Sequence, residues 1–248
     1  MRWVDSHCHL QLDDRDPAQL LGRAIDVDWV VVPGVDAKSS LAALELASQF
    51  SDRVMATVGL HPHEASMWGE LEPEISQLAT RAAAVGETGL DFYRNLASPE
   101  DQLRSFQGQL RLADSLGKPV VIHCRDAFSA VFEILEREAV GPRAILHCWT
   151  GGRRWTRRFL QLGCWFSFAG PIAFDTGETI RLAAELIPPE RALVETDTPY
   201  LAPPPHRHEL NEPAFVSLVG EALAKAWSLP VEQVAMQTST NAAVAFGR

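Results

Sequence analysis

Asp5-Ser6-His7-Cys8-His9-Leu10 follows a short apolar run, Trp3-Val4, that reads as the tail of a buried strand. Side chains alternate faces along a strand. Asp5, His7 and His9 are therefore expected on one side and Ser6, Cys8 and Leu10 on the other. Two imidazoles aimed at one point suit a metal ion only if further ligands arrive from elsewhere in the chain. A hydrogen-bonded histidine pair without metal would leave the same trace, so the layout of the remaining sequence has to decide.

Outward from that stretch, apolar runs alternate with helical stripes. Trp29 to Val32, Val54 to Leu60, Ala84 to Glu87, Val120 to His123, Ala144 to His147, Trp165 to Phe168 and Leu193 to Asp197 read as strands. Between them, apolar residues recur at helical spacing, as in Leu41, Leu44 and Ala47, or Phe128, Val131 and Leu135. A terminal helical stretch covers Val231 to Phe246. Continuous apolar runs suit strands buried on both faces. With the opening strand there are eight, each followed by a helix. Strict alternation means a parallel sheet with helical crossovers, and eight repeats favour closure into a (β/α)8 TIM barrel over an open doubly wound sheet. Neither a Gly-x-Gly-x-x-Gly after the first strand nor a P-loop is present, which also counts against the open sheet. Without a Gly/Ser-rich linker or a charge run to divide the chain, residues 1–248 are expected to form one domain.

Placed on this map, the unusual residues fall at strand ends. His7 and His9 end the first strand, Glu87 the fourth, His123 the fifth, His147 the sixth and Asp197 the eighth. In a barrel the C-terminal strand ends surround one mouth. Four imidazoles and two carboxylates exceed what one tetrahedral ion uses, so two divalent ions are expected. His7, His9 and Asp197 would hold one, His123 and His147 the other, with Glu87 between them. Nitrogen and oxygen donors suit zinc, manganese or magnesium. Asp197, as ligand and proton acceptor, is the candidate general base. Asp5 and Glu195 read as hydrogen-bond partners of the ligands rather than ligands. Cys8, Cys124 and Cys148 each follow a ligand histidine, so alternation turns them away, as small buried hydrophobes.

Composition limits the partners. A formal charge of −10 is the wrong sign for holding nucleic acid over a wide surface, so a phosphate-bearing substrate would have to be attracted locally. Arg153, Arg154, Arg157 and Arg158 gather on the sixth helix and read as a solvated face in preference to a nucleic-acid patch. No apolar run of about 18 residues and no signal peptide is evident, so a cytoplasmic protein without membrane association is expected, with a monomer favoured. The four cysteines lack the spacing of a zinc ribbon or a disulfide framework.

Seven stretches run in order from end to end: Asp5 to Leu10, Gly59-Leu60-His61-Pro62-His63, Gly86 to Phe92, His123 to Ala127, His147 to Gly151, Glu195 to Leu201 and Asn211-Glu212-Pro213. With them the chain resembles the TatD family of metal-dependent deoxyribonucleases, among the amidohydrolase-like barrels. The resemblance implies a two-metal phosphodiesterase acting on nucleic-acid ends, and the family's metal ligands fall on the same six residues. His63, Arg125 and Trp149 are the expected substrate contacts, through loop placement, phosphate binding and base stacking respectively. Two departures stand out. Trp149-Thr150 replaces the family's Phe-Ser, and His208-Glu209-Leu210 stands where a Gly-Lys-Arg often precedes Asn-Glu-Pro. Loss of two positive charges keeps open an alternative on the same barrel, a metal-dependent ester or amide hydrolase such as an aminoacyl-ester deacylase.

Overall fold

The computed structural model describes residues 1–248. Eight parallel strands pair in sequence order: β1 (Trp3–Asp5), β2 (Val27–Pro33), β3 (Val54–Val58), β4 (Ala84–Asp91), β5 (Val120–Arg125), β6 (Ala144–Leu146), β7 (Trp165–Phe168) and β8 (Ala192–Val194). The helices α1 (Pro17–Arg23), α2 (Ala37–Gln49), α3 (Trp68–Ala79), α4 (Pro99–Leu116), α5 (Phe128–Glu138), α6 (Arg153–Gln161), α7 (Glu178–Ala184) and α8 (Val216–Trp227) follow them in turn, and α9 (Val231–Phe246) ends the chain. This is the expected TIM barrel. No single helix is long and apolar enough to cross a membrane.

The barrel closes at a seam between β1 and β8. Ser6 N donates to Val194 O at 3.0 Å, Asp197 N to His7 O at 2.9 Å and His9 N to Thr198 O at 2.8 Å. Asp5 reinforces it, accepting from Thr196 N at 2.9 Å and Thr196 Oγ1 at 2.6 Å. Nearby, Asp13 accepts from Arg15 Nη2 at 2.6 Å, and Arg15 also donates to Asn211 O. Arg23 and Glu212 pair at 2.6 Å. These bonds belt the segment after β1 to the loop after β8.

Local sequence sets the helix ends. α4 starts at Ser98, whose side chain accepts from Asp101 N, with Pro99 in the first turn, and stops at Gly117 in the left-handed region at φ 64°. That is the Pro-first, Gly-last order that backbone sterics favour. α2 opens with an Asp36–Ser39 capping box. Outward-facing strand residues such as Val30, Val32, Leu90 and Ile122 pack with the helices. Inside the barrel, Val4, Val31, Val121, Ile145 and Leu193 form a separate plug that Ala242, Ala245 and Phe246 of α9 cover.

Three strand details differ from expectation and reposition site residues; the first is that β8, expected to run to Asp197, ends at Val194, with Asp197 at φ 61°. Val4 belongs to the inner plug while Trp3 packs outward against α8 at Gly220, so Asp5 faces away from the barrel interior and Ser6 faces in. His7 and His9 reach the mouth because the ladder ends at Asp5 and the chain bends across the seam. Strict alternation over residues 5–9 does not hold. β4, expected to stop at Glu87, continues to Asp91 with a register irregularity between Val85 and Thr88. An extra residue in a strand flips the phase of everything beyond it. Ala84 at the bottom and Glu87, Gly89 and Asp91 at the top consequently all face inward. Gly89 must be glycine, because a Cβ there would meet His123 O at 2.0 Å.

Candidate metal centre

Glu87 stands at the middle of the mouth, almost fully buried. Its Oε2 lies 3.3 Å from His7 Nε2 and 3.6 Å from His9 Nε2. Those two nitrogens are 3.2 Å apart, and Asp197 Oδ1 is 3.8 and 3.5 Å from them. Its Oε1 faces a second set, 3.0 Å from both His123 Nδ1 and His147 Nε2, which lie 3.3 Å from one another. All six residues expected as ligands therefore meet at one place.

Neighbouring carboxylates fix which nitrogen of each imidazole carries the hydrogen in the second set. His147 Nδ1 lies 3.2 Å from Glu195 Oε1, so a neutral His147 turns the bare lone pair of Nε2 toward Glu87. His123 Nε2 lies 3.1 Å from Asp91 Oδ2, which leaves Nδ1 bare on the same side. Two imidazole lone pairs and a carboxylate oxygen then converge with no hydrogen between them. Such a set calls for a cation, and histidines backed by carboxylates are the usual metal arrangement. The donor atoms of His7, His9 and Glu87, and of His7, His147 and Asp197, likewise lie within 4.8 Å of one another. The residues fit a divalent ion.

Charges respond accordingly. With no cation bound, protons take its place: burial would raise Glu87, but the charge of a protonated His147 and hydrogen bonds from the facing imidazoles hold it well below the usual carboxylate range. Burial would lower His147, yet Glu87 and Glu195 hold it well above its ordinary value. Protons and cations compete for the same lone pairs.

His61 and Asp91 also belong to the centre, although position at the strand ends assigns them no role. His61 Nδ1 accepts from His63 N at 3.1 Å, and burial pushes its pKa down to about 4. The ring is therefore neutral with its hydrogen on Nε2, 3.3 Å from Glu87 Oε1. His61, Glu87 and His123 form a third set of donor atoms within 4.8 Å of one another. Asp91 Oδ2 joins His123 Nε2 to His63 Nε2 at 3.1 and 3.0 Å. A signal for both is present in the sequence: Asp91 shares the inward face of β4 with Glu87 four residues earlier, and His61-Pro62-His63 repeats the spacing of His7-Cys8-His9.

The mouth is a cavity of about 600 Å³, and His63, Arg94, Arg125, Tyr200 and Leu201 are among the residues that line it. Arg125 is exposed and rests 4.1 Å above the Tyr93 ring, with no carboxylate partner, so an anion can reach it. Asp5 bonds Thr196 and the backbone of His7, whereas Glu195 Oε1 lies 3.2 Å from His147 Nδ1. Trp149 requires a correction. It is 2% exposed, its Nε1 donates to Thr156 Oγ1 at 3.0 Å, and it packs edge-on against Phe128, Phe159 and Phe166. An indole enclosed in this way stacks on no base; the bend at Cys148, at φ 44°, turns Trp149 into the core. Cys8 also lies in the core.

A (β/α)8 barrel with histidine and carboxylate donors gathered at the C-terminal strand ends is the architecture of a metal-dependent hydrolase. Residues 4–247 match the sequence profile of the TatD related DNases, and the chain belongs to that family. It is 36% identical to the uncharacterized metal-dependent hydrolase YcfH of Escherichia coli, over 98% of this chain and 95% of that protein. It is also 36% identical to the 3'-5' ssDNA/RNA exonuclease TatD of Erwinia amylovora, over 94% of each. The crystal structure of YJJV, a TatD homologue from E. coli, superposes with a TM-score of 0.93 at 26% identity, covering 100% of this chain and 98% of the other.

Proposed function

We propose that the protein is a two-metal phosphodiesterase that releases nucleotides from the ends of single-stranded nucleic acid. The observation that carries this reading is the division of Glu87, one oxygen facing His7 and His9 and the other facing His123 and His147. His7, His9 and Asp197 would hold one ion and His123 and His147 the other. Divalent ions bound there supply Lewis acidity and make water a nucleophile near neutral pH.

The chain's own groups do the rest. Asp197, on the cavity wall, takes the proton from the attacking water. Arg125, on its Tyr93 platform, and Arg94 hold phosphate oxygens at the rim. His61 packs beside Glu87, its Nε2 3.3 Å from Oε1, and Glu195 and Asp91 keep His147 and His123 oriented. The relative from Erwinia amylovora, a 3'-5' ssDNA/RNA exonuclease, supports the choice of substrate.

Labelled single-stranded DNA and RNA oligonucleotides incubated with magnesium, manganese or zinc should release mononucleotides. Asp197→Ala should slow this by about 10²–10⁴-fold, the range of a general base, and His123→Ala should abolish it. Cleavage of aminoacyl esters or amides, with no oligonucleotide hydrolysis under any of the three metals, would replace this reading by the carbonyl-ester alternative.

A further inference from the structure

α6 carries Arg153, Arg154, Arg157 and Arg158 and no acidic residue, in a chain of formal charge −10. Arg15, Arg23, Arg104 and Arg143 each sit on a carboxylate. The four on α6 make no ion pair and no side-chain hydrogen bond. Arg153, Arg154 and Arg157 are exposed. Arg158 lies 3.9 Å from the Phe132 ring centre and 5.0 Å from that of Trp155, and Arg154 lies 5.4 Å from Trp155. Aromatic faces thus hold two of the guanidinium groups in place.

Folding alone does not favour this arrangement. Positive charge in the first turn of a helix opposes the macrodipole. Arg153 with Arg157 and Arg154 with Arg158 are like-charge pairs at i,i+4, which destabilise a helix. No acidic residue occupies the first turn, and Gly152 before it provides no side-chain cap. A solvated helix face would ordinarily mix signs. Location adds a second argument: α6 begins six residues after His147, and in a barrel the first turn of each helix lies at the same end as the strands' C-termini. The cluster therefore starts at the rim of the mouth. Meanwhile the loop after β8 offers no basic pair before Asn211, and Glu209 is paired with His206 at 3.0 Å.

We infer that α6 is the track for the backbone phosphates of a single-stranded nucleic acid whose end occupies the metal centre. The inference deepens the phosphodiesterase reading and rests on it for the choice of strand. It adds to Arg94 and Arg125 at the mouth a second source of the local attraction that a chain of this net charge requires, in the sector of the rim between β6 and β7.

Anisotropy of a labelled, phosphorothioate-linked strand of about 20 nucleotides, bound to the metal-loaded protein across a salt series, tests this directly. Replacing Arg153, Arg154 and Arg157 together by Gln removes three contacts at a slope of about −0.7 each, so the log–log salt dependence should flatten by about 2 and Kd at about 0.1 M salt should rise about 100-fold. The matching triple Lys variant should restore binding, and hydrolysis of a thymidine dinucleotide should be unchanged in both. An unaltered Kd and slope in the Gln variant would overturn the inference, as would a loss seen only with anionic lipid vesicles. Dinucleotide hydrolysis with unaltered strand binding sinks the track and leaves the phosphodiesterase reading standing. Lost strand binding in the Gln variant, with no hydrolysis of the dinucleotide or of an unmodified oligonucleotide by the wild type, does the opposite.

Discussion

Glu195 shows how much a single side chain without a place in the ligand set controls. Its Oε1 accepts from His147 Nδ1 at 3.2 Å and Cys148 N at 2.8 Å, so it sets both the ring orientation and the bend that follows. Glu195→Gln keeps the shape and removes the charge. Metal affinity should fall about 10–100-fold with the melting temperature of the metal-free protein little changed, as isothermal titration and thermal unfolding would show; undiminished affinity would mean that orientation alone suffices. The convergence of the six donor residues is legible in the sequence, because histidines and carboxylates placed at the ends of regularly alternating strands must meet at one mouth once the barrel closes. The directions of neighbouring side chains are not. Alternation puts Asp5 beside His7, yet it points elsewhere, because β1 ends one residue before the bend. Position puts Trp149 at the mouth, yet it lies in the core, because Cys148 adopts a left-handed backbone that no local pattern announces.

At the scale of elements, the seam and the β4 irregularity matter most. Eight strands and their helices follow from periodicity alone, whereas the extra residue between Val85 and Thr88 leaves no compositional mark. It nevertheless decides that Glu87 and Asp91 face inward. The belt from Asp13 and Arg15 to Asn211 holds the segment after β1 against the loop after β8. Burial would raise the pKa of Asp13, but its bonds from Arg15 hold it below the ordinary value. A folded pKa below the unfolded value of about 3.9 makes this contribution complete above about pH 4 and progressively lost as the pH falls through the folded value. Asp13→Asn should destabilise the protein by about 1–3 kcal/mol at neutral pH, and urea titrations should show the gap between variant and wild type closing below pH 4. A gap that stays constant down to pH 3 would contradict the assignment.

For the molecule as a whole, a divalent ion binds only the folded site, so it should stabilise by mass action. At about 100 times its Kd this amounts to about 2.7 kcal/mol, or roughly 5–10 °C in melting temperature for a chain of this length. Chelation should reverse the rise, and His123→Ala should respond less to added zinc or manganese than wild type; equal responses would place the bound ion elsewhere. The seam carries a different consequence. His7 and Asp197 lie 190 residues apart in sequence yet are joined directly by a backbone hydrogen bond. During synthesis the first donor residues of the site emerge with the first strand and the last only after the eighth has been made. A ribosome-bound intermediate therefore holds scattered histidines, and the donor residues gather at one place only once the eighth strand has closed the seam.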